Sequence, residues 1–217
     1  MAHPIFITGG TGYLGSRLIP LLVQRGHSVT ALVRGGSEHK LPATALKISG
    51  DALQPDSYTR QVRGADTFVH LIGVAHPSPA KAKEFREIDL VSARVAVKAA
   101  KDAGVKHFIY LSVAHPAPMM KEYIAVRSEC EAVIRASGMA ATLVRPWYVL
   151  GPGHRWPYAL LPIYWVCGWL PPTREGARRL GLVTLPQMLN ALVWAVENPP
   201  SDVRVLDVPK IREFKAS

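Results

Sequence analysis

Residues 5–15 read IFITGGTGYLG, and no other stretch constrains the fold as tightly. Ile5, Phe6 and Ile7 form an unbroken apolar run, the pattern of a central strand buried on both faces. Thr8, Gly9 and Gly10 end it. Gly9, Gly12 and Gly15 stand three residues apart, and an amphipathic stretch from Leu14 to Arg25 follows. A phosphate-binding turn needs this layout. The first glycine permits the tight turn, the second lets backbone approach a pyrophosphate, and the third lets the helix pack close to the strand. The helix then presents free N–H groups and its positive dipole end to the anion. The competing reading is a glycine-rich turn without a ligand; the strand before it and the helix after it favour the phosphate turn.

A chain of 217 residues suits one domain with at most a small appendage. Cys130 and Cys167 are the two cysteines, so no disulfide framework is implied, and a reducing, cytoplasmic setting is expected. The first apolar run is the strand itself, so no leader is read at the start. The net charge of +10 fits nucleic acid, a membrane surface or anionic small molecules. The basic residues are scattered, with a mild cluster at Arg174, Arg178 and Arg179. Without a dense Lys/Arg stripe and interleaved aromatics, anionic small molecules are expected and nucleic acid is not. No metal site is expected.

Taken in order, Gly26 fits the C′ position of the first helix, and Ser28 to Val33 the second strand. Arg34, Gly35 and Gly36 follow it. In a dinucleotide fold an acid here would bind the ribose 2′-hydroxyl of NAD, and an Arg the 2′-phosphate of NADP. This chain has Arg34, with no carboxylate between Ser28 and Ser37. Arg34 also fits a plain solvated cation.

Leu46 to Ile48 reads as the third strand, then Asp51 and Ala52 in a loop, a helix around Asp56 to Val62, and Thr67 to Leu71 as the fourth strand. Ile72 and Gly73 lead out of it. Asp51 fits either an adenine contact or the cap of the next helix or turn. A long helix from about Lys83 to Ala103 ends at Gly104. His107 to Leu111 is the fifth strand, delivering Ser112 to its carboxyl end. A helix from about Met120 to Ser137 and a sixth strand, Ala140 to Val144, follow. The regular alternation argues an α/β fold, a doubly wound parallel sheet with helices on both faces.

Past Gly153 the composition changes. Tyr158 to Leu170 is aromatic-rich, broken by Pro162, and shorter than the roughly 20 apolar residues of a membrane span. A helix on the sheet's edge is the preferred reading; a substrate wall or a membrane-surface patch is the alternative. Leu180 to Thr184 reads as a strand, Leu185 to Asn198 as a helix, Val203 to Val208 as a last strand, and Lys210 to Ser217 as a frayed tail.

Three residues stand out chemically: Ser112, Tyr123 and Arg127. Tyr123 and Arg127 are four apart on one helix, so they share a face. A cation beside a phenol favours the phenolate, which makes Tyr a usable proton donor or acceptor. A serine hydroxyl at a strand's carboxyl end can orient a carbonyl. Against this, Tyr-x-x-x-Arg is common on helix surfaces.

These pieces together resemble the short-chain dehydrogenase/reductase superfamily, and most of all its extended and atypical members, including the NmrA-like and complex-I accessory-subunit-like proteins. The matching stretches are TGGTGYLG at residues 8–15, VRG at 33–35, GD at 50–51, HLIG at 70–73, AGVKHFIYLS at 103–112 and RPWYVLGPG at 145–153. The resemblance implies a Rossmann-type domain over 1–150 and a small substrate-side segment over 151–217 within the same compact unit. It implies a catalytic group of Ser112, Tyr123 and Arg127. The implied cofactor contacts are Gly9, Thr11, Gly12, Tyr13, Leu14, Gly15, Arg34, Asp51, Ala52, Leu71, Ile72 and Gly73, with Pro146, Trp147, Tyr148 and Val149 beside the nicotinamide. Glu131, at Tyr123 plus eight, also fits the family's helix.

Two positions depart from the pattern. Arg127 replaces the family's Lys, and Asp89 stands where extended members often carry Asn. Arg keeps the charge but does not release a proton, so a Lys-based relay cannot run unchanged. The expected function is an NADP(H)-preferring oxidoreductase, with NAD(H) as the lesser cofactor and a small carbonyl or alcohol as substrate. A non-catalytic NADP-binding sensor or assembly factor is the alternative, and a sugar-nucleotide epimerase or dehydratase ranks below. Membrane-surface contact is not favoured, and the oligomeric state is left open.

Overall fold

The computed structural model describes residues 2–153 and 171–214. The segment Tyr158 to Leu170 lies outside the described residues. Strand β1 (Pro4–Thr8) leads into helix α1 (Gly15–Gln24), and β2 (Ser28–Val33), β3 (Leu46–Ser49) and β4 (Thr67–His70) follow. Next come α2 (Ala82–Glu84), a π-helical turn (Phe85–Leu90) and α3 (Val91–Asp102), which continue one another. Then come β5 (His107–Leu111), α4 (Lys121–Ala136), β6 (Ala141–Val144) and β7 (Tyr148–Leu150). The chain closes with α5 (Pro171–Arg179), β8 (Leu182–Thr184), α6 (Leu185–Glu197), β9 (Val203–Leu206) and α7 (Val208–Glu213).

Seven strands form one parallel sheet in the order β3-β2-β1-β4-β5-β6-β9. Chain direction across the sheet reverses between β1 and β4, and that switch point opens the crevice where ligands of such sheets bind. Thr8 pairs with His70 there, so the turn after β1 and the loop after β4 leave the sheet side by side. β7 and β8 make a separate two-stranded parallel ladder.

Each sheet face has its own core, as strand alternation requires. Ile5 and Ile7 face Leu18, Ile19 and Leu22 of α1 and Met188 and Leu192 of α6. Phe6 faces the other way, in a row with Phe68 and Phe108 whose ring centroids are 5.2 Å apart at each step. Ala93, Ala96 and Ala100 bring α3 close to this row, beside Val126, Cys130 and Ile134 of α4. β9 joins the main sheet beside β6 and α6 packs in the same core as α1, so residue 150 is not a boundary between separately packed units.

The local expectations failed in two places. Asp56 to Val62 forms two 3₁₀ turns, Pro55–Ser57 and Thr59–Val62, in place of a helix. The Ser57 hydroxyl stands 2.8 Å from the carbonyl oxygens of both Asp51 and Gln54, which share its one proton in competition with helical pairing. Part of the expected tail is helix α7, because the Asp207 side chain accepts the Lys210 amide at 3.2 Å and Pro209 suits its first turn. Tyr148 to Leu150, the end of the segment that follows β6, forms a strand that pairs with β8.

Candidate functional site

The glycine turn has the geometry an anion site requires. Gly9 has φ +78°, and a Cβ there would sit 2.8 Å from the Leu71 carbonyl carbon. A Cβ on buried Gly15 would collide with backbone, 2.6 Å from the Gly10 Cα. Exposed Gly12 donates its amide to the Gly9 carbonyl at 3.0 Å and turns bare backbone outward. No side chain caps α1 at Leu14, and its first turn has no acid. By contrast, α6 carries a full capping box from Thr184 and Gln187. The Ser16 and Arg17 amides donate to the Gly12 and Leu14 carbonyls at 3.0 and 3.1 Å, but no side chain competes for the α1 N-terminus, and the residues fit a dinucleotide pyrophosphate. Thr11, Tyr13 and Leu14 are half-buried in the same turn, with Arg17 stacked on the Tyr13 ring at 4.3 Å.

Arg34 is exposed at the carboxyl end of β2. Asp51 is exposed beyond β3, beside half-buried Ala52, and its Oδ1 accepts the Leu53 amide at 3.0 Å. That is the capping contact, one of the two readings offered for it. Leu71 and Ile72 are half-buried and Gly73 is exposed along the loop after β4.

Ser112 and Tyr123 have different surroundings. Ser112 is buried and donates its hydroxyl proton to Glu131 Oε1 at 2.6 Å. Glu131 also takes the Arg145 guanidinium, with Nε at 2.8 Å, and stands 3.5 Å from His115 Nε2. Burial would raise the Glu131 carboxyl, but His115, Arg145 and Ser112 outweigh it and bring it down to about 2.

Tyr123 is half-buried on α4, tilted against Phe85 at 4.9 Å, and the Arg127 guanidinium carbon lies 5.1 Å from its ring centroid. Arg127 itself is buried. Its Nη1 donates to the Tyr110 hydroxyl at 3.0 Å, the Leu111 carbonyl at 2.9 Å and the Ile72 carbonyl at 3.4 Å. Its Nη2 stands 3.1 Å from Asp89 Oδ2. Burial opposes the Arg127 charge, yet Tyr110, Tyr123 and Asp89 hold its pKa well above the ordinary value. Asp89 lies in the π-helical turn, fully buried, and its Oδ1 accepts the Val74 amide at 2.8 Å.

Pro146 is buried, and Trp147, Tyr148 and Val149 are half-buried after β6. The Trp147 and Tyr148 rings meet edge to face at 5.5 Å. The sequence reading left out His70 and Tyr110. His70 is fully buried, with Nδ1 2.7 Å from the Thr8 hydroxyl and Nε2 3.4 Å from the Ser92 hydroxyl. The signal for both was a polar ring inside an otherwise apolar strand.

Among the described residues no helix is long and apolar enough to cross a membrane. The NAD(P)H-binding family matches residues 9–155. A ceramide reductase of Caulobacter vibrioides is 31% identical over 151 residues, which are 69% of this chain and 47% of that protein. A 4-hydroxy-2-methyl-3-oxo-4-farnesyl-3,4-dihydroquinoline-1-oxide ketoreductase of Stigmatella aurantiaca is 27% identical over 168 residues, 67% of this chain and 50% of that one. The chain thus spans about half the length of these relatives. The fold matches the Bordetella bronchiseptica enzyme WbmH, solved with NAD+, at TM-score 0.72 and 22% identity, over 95% of this chain and 76% of that one. With the glycine turn, the strand order and the family match in agreement, this chain belongs to the NAD(P)H-binding family, within the extended short-chain dehydrogenase/reductase group.

Proposed function

We propose that the chain is the cofactor-binding core of an NADPH-preferring oxidoreductase that reduces a carbonyl on a small, largely apolar molecule. The carrying observation is the Tyr123 ring 5.1 Å from the Arg127 guanidinium, beside the carboxyl end of β5. The ceramide reductase and the farnesyl-bearing ketoreductase support a carbonyl on an apolar molecule as the substrate class. Exposed Arg34, with no acid between Ser28 and Ser37, supports the 2′-phosphate of NADP.

When bound, a reduced nicotinamide supplies the hydride. The α1 N-terminus and the glycine turn hold the pyrophosphate. Tyr123 gives the carbonyl oxygen its proton as that oxygen takes up the former π-electron pair, and solvent reprotonates the phenolate. Arg127 stabilises that phenolate as a fixed charge and passes no proton. Ser112 positions Glu131 and Arg145, because its own proton is committed.

A second reading, a non-catalytic NAD(P)H-binding sensor, is favoured by one fact. Ser112 is engaged by Glu131 and Arg127 by Asp89, so both helpers of the family's tyrosine are occupied. NADPH oxidation across a panel of carbonyls, quinones and flavins separates the two. The enzyme reading expects turnover that Tyr123→Phe lowers by about 10²–10⁴-fold while NADPH binding is kept. Binding without turnover across the panel favours the sensor, and turnover indifferent to Tyr123→Phe removes that residue from the chemistry.

A further inference from the structure

Three consecutive residues beyond β4 each meet the same buried pair, two of them through hydrogen bonds. The Ile72 carbonyl accepts from Arg127 Nη1 at 3.4 Å. Gly73 lies against Arg127 Nη2 so closely that a Cβ there would collide with it. The Val74 amide donates to Asp89 Oδ1 at 2.8 Å. The two partners also hold one another, with Arg127 Nη2 at 3.1 Å from Asp89 Oδ2. On its other side the segment abuts the glycine turn, since a Cβ on Gly9 would lie 3.0 Å from the Ile72 nitrogen.

We infer that Asp89 and Arg127 form a clamp on Ile72–Val74, which makes Asp89 a positioning residue for dinucleotide binding. The inference rests on reading that segment as a wall of the dinucleotide crevice. An ion pair kept for stability alone needs only its charges matched. This pair also uses polar atoms of both partners on the loop backbone, and the glycine between those contacts is the residue type that leaves room for the guanidinium. The π-helical turn supports the same view. Its extra residue per turn carries Asp89 inward, and turns of this kind recur at functional sites. Neither departure from the family pattern is then an isolated loss. Arg127 fills the space with a larger, permanently charged group, and Asp89 supplies the charge that lets it be buried.

The test is NADPH titration by fluorescence, well below the melting temperature, on folded variants of the full chain. Gly73→Ala and Arg127→Met should each weaken binding at least tenfold. Combined, they should be no worse than Arg127→Met alone within twofold, because the collision partner is gone. Asp89→Asn should also weaken binding at least tenfold. Arg204→Ala, which removes bonds to Thr142 and Asn198 away from the crevice, should lower the melting temperature without changing affinity. If Asp89→Asn does not fold, Asp89→Asn/Arg127→Met leaves neither charge unpaired and should fold and bind as weakly as Arg127→Met. Either Asp89 variant folded and binding within twofold of wild type overturns the clamp, as does an equal effect of Gly73→Ala in both backgrounds. Wild-type protein that binds neither NADPH nor NADH overturns the dinucleotide reading itself, and the clamp with it.

Discussion

The Ser112 hydroxyl donates a hydrogen bond to the ionised Glu131 carboxylate across 2.6 Å, at the point where β5 ends. The same carboxylate holds Arg145 beyond β6 and faces His115, so one buried charge ties together the exits of two strands.

Acid should therefore weaken the fold through Glu131. Its folded value near 2 lies below the ordinary 4.5, so its contribution is complete above about pH 4.5 and is lost as pH falls towards 2. Between those values the loss amounts to on the order of 3 kcal/mol. The difference in unfolding free energy between wild type and Glu131→Gln, followed from pH 6 to 2.5, should shrink steadily on the acid side. A difference that stays flat contradicts the assignment.

His70 should remain a neutral imidazole. Burial, and secondarily the Arg127 charge, push it down to about 3. Its folded value lies below the ordinary 6.5, so it contributes to a loss of stability as pH drops below 6.5. Nitrogen NMR of the ring should show one unprotonated nitrogen at pH 5.5; a titration centred near 6.5 would refute this.

Two glycines of the same turn should fail differently. Gly15→Ala presses a methyl group into backbone and should cost on the order of 2 kcal/mol of stability, read from chemical denaturation. A Cβ at Gly12 would meet only the Gly9 carbonyl, at 3.2 Å, so Gly12→Val should keep its circular dichroism while losing NADPH binding. Normal binding by folded Gly12→Val would remove the pyrophosphate from this turn.

Cofactor choice should depend on Arg34. A charge-assisted bond to the 2′-phosphate contributes about 1.5–3 kcal/mol, roughly ten- to a hundredfold in affinity. Parallel titrations should show NADPH bound more tightly than NADH, and Arg34→Ala should erase the gap by weakening NADPH alone. Equal affinities in the wild type would end the idea.

The sheet was legible because its central strands are apolar on both faces: Ser28–Val33 and His107–Leu111 end where their residues indicate. Helix ends marked by Gly26 and Gly104 also stand as read, both with positive φ. What escaped was set by side chains returning to backbone. Ser57 splits a helix into two 3₁₀ turns, and Asp207 makes one out of an expected tail. Within the site, spacing put Tyr123 and Arg127 on one face but did not reveal that Asp89, 38 positions earlier, would meet Arg127. That contact comes from the packing of the π-helical turn against α4, to which local periodicity is blind.

The β7–β8 ladder sets Leu150 beside Thr184 and Tyr148 beside Leu182. The two strands are parallel, so the chain leaves at Leu150 and re-enters at Leu182, at opposite ends of the ladder. Part of that connection is anchored: Arg179 Nε donates to the Pro116 carbonyl at 3.2 Å and Leu180 packs on the core. The main sheet, the glycine turn and the Asp89–Arg127 pair lie outside that excursion. The residues that build the nucleotide crevice and those that join β7 to β8 are thus separate stretches of one chain, free to change at different rates.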